Sequence, residues 1–173
     1  MPSKKVSNAD NQQERSEIAS WISGFVDGEG CFSVSLIRNP TTSSGWQVFP
    51  EFVVTQGEKS RAALEIIKKY FQCGEIYLNR RRDNHKENLL RFCVRSRKDL
   101  KEKIIPFFIK FPLRTEKKED LKKFVTILAL MEQEIHKKIQ GLKKIAKIIQ
   151  SMNRKVPSRF LKSSETTCRN LKR

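Results

Sequence analysis

The sequence predicts an α+β fold, with a four-stranded antiparallel sheet and helices grouped on one of its faces, in the order αββαββα. Three observations predict it. The spacing of apolar residues alternates along the chain between the helical period and the strand period of two. Two pairs of strands are each joined by a polar loop, which is typical of antiparallel hairpins. Helical segments precede, separate and follow these hairpins, as in α+β domains.

The first helix is expected to run from Ser16, which can serve as its N-cap, to the glycines at positions 28 and 30. Its apolar residues follow helical spacing: Ile18, Ala19, Ile22, Phe25 and Val26. The residues before it are polar and aperiodic, so we interpret 1–13 as a flexible arm and 14–153 as the folded domain. The segment 154–173 is interpreted as a basic tail.

The first hairpin is predicted from the alternating segments "CFSVSLIR" and "WQVFPEFVVTQ", joined by the loop "NPTTSSG". One set of alternating positions is apolar and is expected to be buried: Phe32, Val34, Leu36, Val48, Phe52 and Val54. The other set is mostly polar, which predicts a sheet with one face under the helices and one face open to solvent.

The second half of the chain repeats this arrangement. A helix is predicted in "GEKSRAALEIIKKYF", and the strands "GEIYLNRRR" and "NLLRFCVR" follow around the turn "DNHKE". A further helix is expected from about Arg97 to "PFFIKFPL" and an amphipathic helix from about Lys117 to Glu134. A basic helix is expected in "HKKIQGLKKIAKIIQSM".

The net charge indicates a polyanionic partner. The 173 residues include 36 Lys and Arg against 19 Asp and Glu, a formal charge of +17, which favours binding to nucleic acid or an anionic surface. No apolar run is long enough to span a membrane, and the polar start does not resemble a signal peptide, so an intracellular protein is expected. The four cysteines and two histidines lack zinc-site spacing, which predicts free thiols in a reducing compartment.

The open face of the predicted sheet carries short hydrogen-bonding groups together with several arginines. By strand parity it displays Ser33, Ser35, Gln47, Glu51, Thr55, Tyr77, Asn79, Arg81 and Arg91. An ordinary solvated face is the alternative, but the concentration of arginine on the second hairpin favours contact with nucleic acid. Phe49 and Val53 share this parity; either they contact thymine methyl groups or a bulge at Pro50 shifts the register.

The stretch "WISGFVDGEG" places two carboxylates, Asp27 and Glu29, where the first helix gives way to the first strand. A helix C-cap with a solvated Glu29 is the simplest interpretation. However, Gly24, Asp27 and Gly28 share a small-residue face that a second helix could approach closely. Glu29 would face the basic surface, where a divalent cation bridging it to phosphate would make its charge favourable.

The residues "ISGFVDGEG", from Ile22 to Gly30, resemble the LAGLIDADG motif of homing endonucleases and related maturases. "PEFVVTQ", "PFFIKFPLRTEKKEDL" and the αββαββα order resemble the same family over residues 16 to about 150. Only one copy of the motif is present. The resemblance therefore implies a homodimer whose motif helices pack at the two-fold axis through Gly24, Asp27 and Gly28, with the two sheets forming a saddle over double-stranded DNA.

The resemblance also implies roles in metal-dependent hydrolysis of phosphodiester bonds. Glu29 would be the metal-binding acid and the Gly28 carbonyl a further ligand, with Mg²⁺ as the cofactor at about two or three ions per dimer–DNA complex. Gln56 would order water near the metals, and Lys117 would lie beside the scissile phosphate. Lys118 competes for that role because the Lys-Lys pair leaves the register open by one residue.

The same resemblance implies that the open face reads DNA through Ser33, Ser35, Gln47, Glu51, Tyr77, Asn79, Arg81 and Arg91. The expected activity is a double-strand break in a near-palindromic site of about two helical turns, in an organelle or a prokaryotic cytoplasm. Two alternatives stay open: an intron RNA maturase, and a DNA-binding protein on the same scaffold that has lost catalysis.

Overall fold

The computed structural model describes residues 8–80 and 87–153. Six α-helices and four strands follow one another in this part of the chain. They are α1 (Asn8–Glu29), β1 (Gly30–Arg38), β2 (Trp46–Gly57), α2 (Arg61–Phe71), β3 (Glu75–Asn79), β4 (Leu89–Val94), α3 (Arg97–Asp99), α4 (Ile105–Lys110), α5 (Lys117–Glu132) and α6 (Ile139–Gln150). A π-helical segment, Leu100–Ile104, joins α3 to α4, and 3₁₀ turns at Glu58–Ser60 and Ile135–Lys137 precede α2 and α6.

The four strands form one antiparallel sheet in the order β1-β2-β4-β3. The predicted α+β class is therefore confirmed. The β1–β2 register runs without interruption from the Gly30–Val54 pair to the Arg38–Trp46 pair, so the bulge considered at Pro50 is absent. Pro50 lies on the stretch of β2 that β4 does not reach, where one side of the strand is unpaired and a residue without an N–H is tolerated.

Helices cover one face of the sheet, and phenylalanines dominate the core between the two layers. The Phe32 ring stacks on Phe52 with 5.2 Å between centroids, and the edge of Phe108 meets Phe32 at 5.5 Å. Phe92 and Phe124 are also fully buried. The apolar alternation that predicted the buried face is therefore confirmed, and burial of these rings contributes to the stability of the fold.

The structure differs from the predicted helix boundaries at both ends of the chain. Helix α1 begins at Asn8, so Ser16 lies inside it and is not an N-cap; its carbonyl accepts a hydrogen bond from the Ser20 hydroxyl. Part of the predicted arm is thus helical. Helix α5 ends at Glu132, and Glu134 takes a left-handed conformation with φ of 56° before the 3₁₀ turn. The tail 154–173 lies outside the described residues.

The described cysteines, Cys31, Cys73 and Cys93, are free thiols, and burial raises the pKa of each. Within residues 8–80 and 87–153, no group of three or more His, Cys, Asp or Glu side chains could hold a metal ion. Over the same residues, none of the helices combines the length and apolar character needed to cross a membrane.

Candidate active site

Helix α1 passes directly into strand β1, without an intervening loop, and Glu29 is its last residue. Gly30 makes this possible. A Cβ at position 30 would lie 2.5 Å from Cγ1 of Val26 and 2.8 Å from its carbonyl oxygen, so a larger residue would clash with the preceding turn. The junction leaves Glu29 exposed at the end of the helix, and its carboxylate accepts no hydrogen bond from the described residues.

Asp27 ties this junction to the loop before α5. Its Oδ2 accepts the backbone N–H of Arg114 at 2.6 Å, and its Oδ1 accepts the Thr115 hydroxyl at 2.7 Å and the Thr115 N–H at 3.2 Å. Burial opposes ionisation of Asp27, but these hydrogen bonds outweigh it and hold its pKa below the ordinary value. The carboxylate is therefore used within the chain, where it fixes the approach to α5.

Lys117, the first residue of α5, reaches back to the end of α1. Its Nζ donates to the carbonyl oxygens of Val26 at 2.9 Å and Gly28 at 3.1 Å. These are carbonyls of the last helical turn, where a cation is favoured by the helix dipole. Burial lowers the pKa of Lys117, although the nearby Cys31, Asp27 and Glu29 oppose the shift. Lys118 is exposed, so the structure brings Lys117 rather than Lys118 to Gly28.

The oxygen atoms at this junction suit a hard cation only in part. The Glu29 carboxylate and the Gly28 carbonyl are ligands that Mg²⁺ accepts, and the Gly28 oxygen keeps a second lone pair beside Lys117. One carboxylate and one carbonyl do not complete the coordination of Mg²⁺. The residues therefore fit a metal that takes its remaining oxygen ligands from outside this chain.

Gln56 lies at the end of β2, two residues beyond Val54, which pairs with Gly30 at the start of β1. Gln56 is half-buried and pairs with Leu90. It shares the strand parity of Phe52 and Val54, so it belongs to the helix-covered face of the sheet, and its register places it at the end where α1 meets β1.

The polar face of the sheet brings together most of the residues predicted to read DNA. Ser33 pairs with Glu51, and Arg91 pairs with both Thr55 and Tyr77. Others at the same face are Ser35, Gln47 and Asn79. Arg81 lies outside the described residues. Val53 is only 4% exposed, between Cys31 and Cys93, and is not available to a thymine methyl group.

Several contacts on this face preorganise the side chains. Asn39 Nδ2 donates to Gln47 Oε1 at 2.9 Å, which holds Gln47 against the β1–β2 loop. Glu51 accepts hydrogen bonds from Arg91 and Arg95, both at 3.1 Å. Both oxygens of Glu51 thus accept from arginine, so the predicted base reader is engaged with two side chains of its own chain.

Sequence reasoning missed three residues that support the site. Thr115 accepts the N–H of Lys117 at 3.3 Å while donating to Asp27, so it links α1 to the start of α5. Asn153 donates to the Phe32 carbonyl at 3.0 Å and its N–H reaches Asp120. Arg95 contacts Glu51. Thr115 could have been found from the sequence, because a threonine just before a helix is a signal for capping. Asn153 and Arg95 could not, because their partners are distant in sequence.

Comparison with known proteins gives consistent matches to one family. The profile described as LAGLIDADG endonuclease matches residues 22–128. "Probable intron-encoded endonuclease 2" of Neurospora crassa is 37% identical over 134 residues, which cover 78% of this chain and 29% of that protein. "DNA endonuclease I-CeuI" of Chlamydomonas moewusii is 29% identical over 129 residues, covering 75% of this chain and 57% of that protein.

Solved structures agree in fold. The homing endonuclease I-TnaI superposes with a TM-score of 0.75 at 38% identity, covering 86% of this chain and 96% of that chain. The LAGLIDADG homing endonuclease I-LtrWI, solved bound to its target DNA, gives a TM-score of 0.70 at 30% identity and covers 89% of this chain and 47% of that one. The chain therefore spans less than a third of the Neurospora protein but nearly all of I-TnaI. On the motif, the fold and these matches, the chain belongs to the LAGLIDADG endonuclease family.

Proposed function

We propose that this chain is a site-specific homing endonuclease that makes double-strand breaks in a near-palindromic DNA site by Mg²⁺-dependent hydrolysis. The observation that carries the proposal is the junction of α1 and β1. There an exposed carboxylate, Glu29, stands next to the Gly28 carbonyl, to which Lys117 donates at 3.1 Å. The adjoining sheet face carries the groups that suit DNA. The family relationship and the DNA-bound I-LtrWI structure support the same activity.

Hydrolysis of a phosphodiester requires an activated water, neutralisation of the charge that develops on phosphorus, and stabilisation of the leaving 3′ oxygen. A bound Mg²⁺ supplies Lewis acidity and lowers the pKa of water. Glu29 and the Gly28 carbonyl would hold that ion against the phosphate. Lys117 supplies a protonated ammonium beside the same carbonyl, where it can donate to a phosphate oxygen. Gln56 offers an amide that can hydrogen-bond to water.

We propose further that two chains act together. Residues Gly24 and Gly28 of α1 are exposed, and a Cβ at either would meet nothing within 4 Å. This open, small-residue face suits close approach by the same helix of a second copy. Such a pair would bring two Glu29 carboxylates together, and a cation between them would relieve their repulsion. Each copy would then cut one strand of a two-fold symmetric site.

The relatives named as intron-encoded endonucleases support an origin of this chain in a mobile intron, in an organelle or a prokaryotic cytoplasm. The maturase alternative requires an RNA-binding surface but does not require Glu29.

The decisive experiment compares Glu29→Gln with wild type. First, the wild-type protein is incubated with a randomised duplex library and Mg²⁺, and the cleaved sequences are identified. Glu29→Gln should then abolish cleavage of the selected site, because the amide lacks the charge of the carboxylate. The affinity of the variant for that site should change little, because the amide keeps the size of the side chain. Glu14→Gln, the same change on an exposed residue of α1, is the matched control and should cut normally. Undiminished cleavage by Glu29→Gln would reject the proposed mechanism.

A further inference from the structure

Arg95 is held in one position on the polar face of the sheet by three side chains. Its Nε donates to Oε2 of Glu51 at 3.1 Å. Its guanidinium carbon lies 5.0 Å from the centroid of the Tyr77 ring and 5.6 Å from that of Phe49. Both distances are within the range of cation–π attraction. Glu51 and Phe49 belong to β2 and Tyr77 to β3, so two strands fix a side chain that follows a third.

These contacts use only one edge of the guanidinium. The Arg95 side chain is 42% exposed. Among the described residues, no protein acceptor receives a hydrogen bond from its two terminal nitrogens. Those nitrogens form the fork that donates in parallel to O6 and N7 of guanine in the major groove. Because Nε and the ring contacts fix the guanidinium, less side-chain freedom is lost when the fork binds a base.

Arg91, which also contacts Glu51, is arranged differently. It uses the terminal nitrogen Nη2 to reach Oε1 of Glu51 at 3.1 Å. One terminal nitrogen of Arg91 is therefore already engaged with Glu51, whereas both terminal nitrogens of Arg95 lack a protein acceptor among the described residues. Of the two arginines, Arg95 is the one whose free edge is complete.

Glu51 orients the two arginines, Arg91 and Arg95, that donate to its carboxylate. Both of its oxygens accept from arginine, and its side chain is only 14% exposed. An unpaired carboxylate on a DNA-binding face would be repelled by phosphate, whereas a carboxylate between two guanidiniums orients them. Glu51 is thus a positioning residue for Arg95.

We propose that Arg95 is a specificity-determining residue that reads one guanine in each half of the DNA site, positioned by Glu51 and by the rings of Phe49 and Tyr77. The inference rests on the proposed function and deepens it, because it assigns a base preference to a named side chain.

The test measures base preference position by position. Wild-type protein selects bound sequences from a randomised duplex library without divalent cations, and dissociation constants are then measured for the selected site with each base substituted in turn. Wild type should prefer guanine at one position per half-site by about 10- to 100-fold. Arg95→Lys should lose most of that preference, and Glu51→Gln should weaken it at the same position. Arg38→Lys is the control, because Arg38 contacts the Trp46 ring and no residue of this cluster.

The outcomes separate the two proposals. If no duplex sequence is enriched, the proposed function fails and this inference fails with it. If a site is enriched but Arg95→Lys keeps every guanine preference, the inference alone is overturned. Equal weakening for all bases would assign Arg95 to a phosphate and would also overturn it. Thermal melting should show that Arg95→Lys folds; if it does not, Tyr77→Leu removes one of the two rings that contact Arg95 and should reduce the same preference.

Discussion

The ammonium of Lys117 lies 3.1 Å from the carbonyl oxygen of Gly28, the last-but-one residue of α1. This contact joins two segments 89 residues apart and sets a cation at the negative end of a helix that ends in a carboxylate. This position beside the proposed metal ligands, together with the partial burial of Lys117, is the ground for the catalytic role proposed for it.

Lys117→Met should therefore slow cleavage far more than Lys118→Met. Loss of one preorganised charge at the reacting phosphate costs about 10²- to 10³-fold in rate, whereas Lys118 is exposed at the same helix start. Single-turnover cleavage at saturating enzyme isolates the chemical step. Equal or reversed effects of the two substitutions would contradict the role given to Lys117.

The pH dependence of cleavage should carry the signature of the same lysine. Burial lowers the pKa of Lys117 from its ordinary value of 10.5, so the protonated form is lost at a lower pH than for an exposed lysine. If the ammonium is required, the single-turnover rate should fall on the alkaline side at a pH below 10.5. In Lys117→Arg, whose guanidinium stays protonated, any remaining activity should lack that decline. A wild-type rate that stays constant up to pH 10.5 would argue against a protonated Lys117.

Asp27→Asn should destabilise the fold by about 1–3 kcal/mol at neutral pH, because the bonds from Arg114 and Thr115 lose their charged acceptor. The pKa of Asp27 is lower in the folded chain than its ordinary value of 3.8. The stabilisation that ionised Asp27 contributes is therefore complete above pH 3.8. It is lost as the pH falls through the pKa of Asp27 in the folded chain. Urea unfolding at pH 7 and in acid should show the difference between variant and wild type shrinking in acid. Glu102→Gln, at an exposed residue, should differ little at either pH.

The sheet and the helices could be predicted because their apolar residues repeat at a fixed period within each segment. The buried Phe32 and Phe52 are examples, since each alternates with polar neighbours. The start of α1 could not be predicted. Helix α1 begins at Asn8, but the residues between Asn8 and Ser16 are polar and show no helical spacing of apolar side chains. Local pattern carries no signal there.

Contacts between distant segments account for what the sequence left open at the site. The choice between Lys117 and Lys118 depends on which side chain α5 directs toward α1, and adjacent lysines have the same local signal. The Asp27–Thr115 bond spans 88 residues and the Arg95–Glu51 bond spans 44. No periodicity connects such pairs, so the sequence predicts Asp27 at the helix interface and Glu51 as a base reader without indicating the partner of either.

The proposed dimer can be tested at Gly24, where the single chain leaves open space. A Cβ there meets nothing within 4 Å, so Gly24→Leu should fold, and replacing glycine in a helix should even favour α1 by about 1 kcal/mol. In a dimer with closely packed α1 helices, the same leucine would force the helices apart. Sedimentation should then give twice the chain mass for wild type and one chain mass for Gly24→Leu, with cleavage lost.

Ala129→Leu, on an exposed position of α5, is the control and should remain dimeric and active. A fully active, dimeric Gly24→Leu would exclude Gly24 from the interface, and a wild-type chain that binds and cuts DNA as a monomer would exclude the dimer itself.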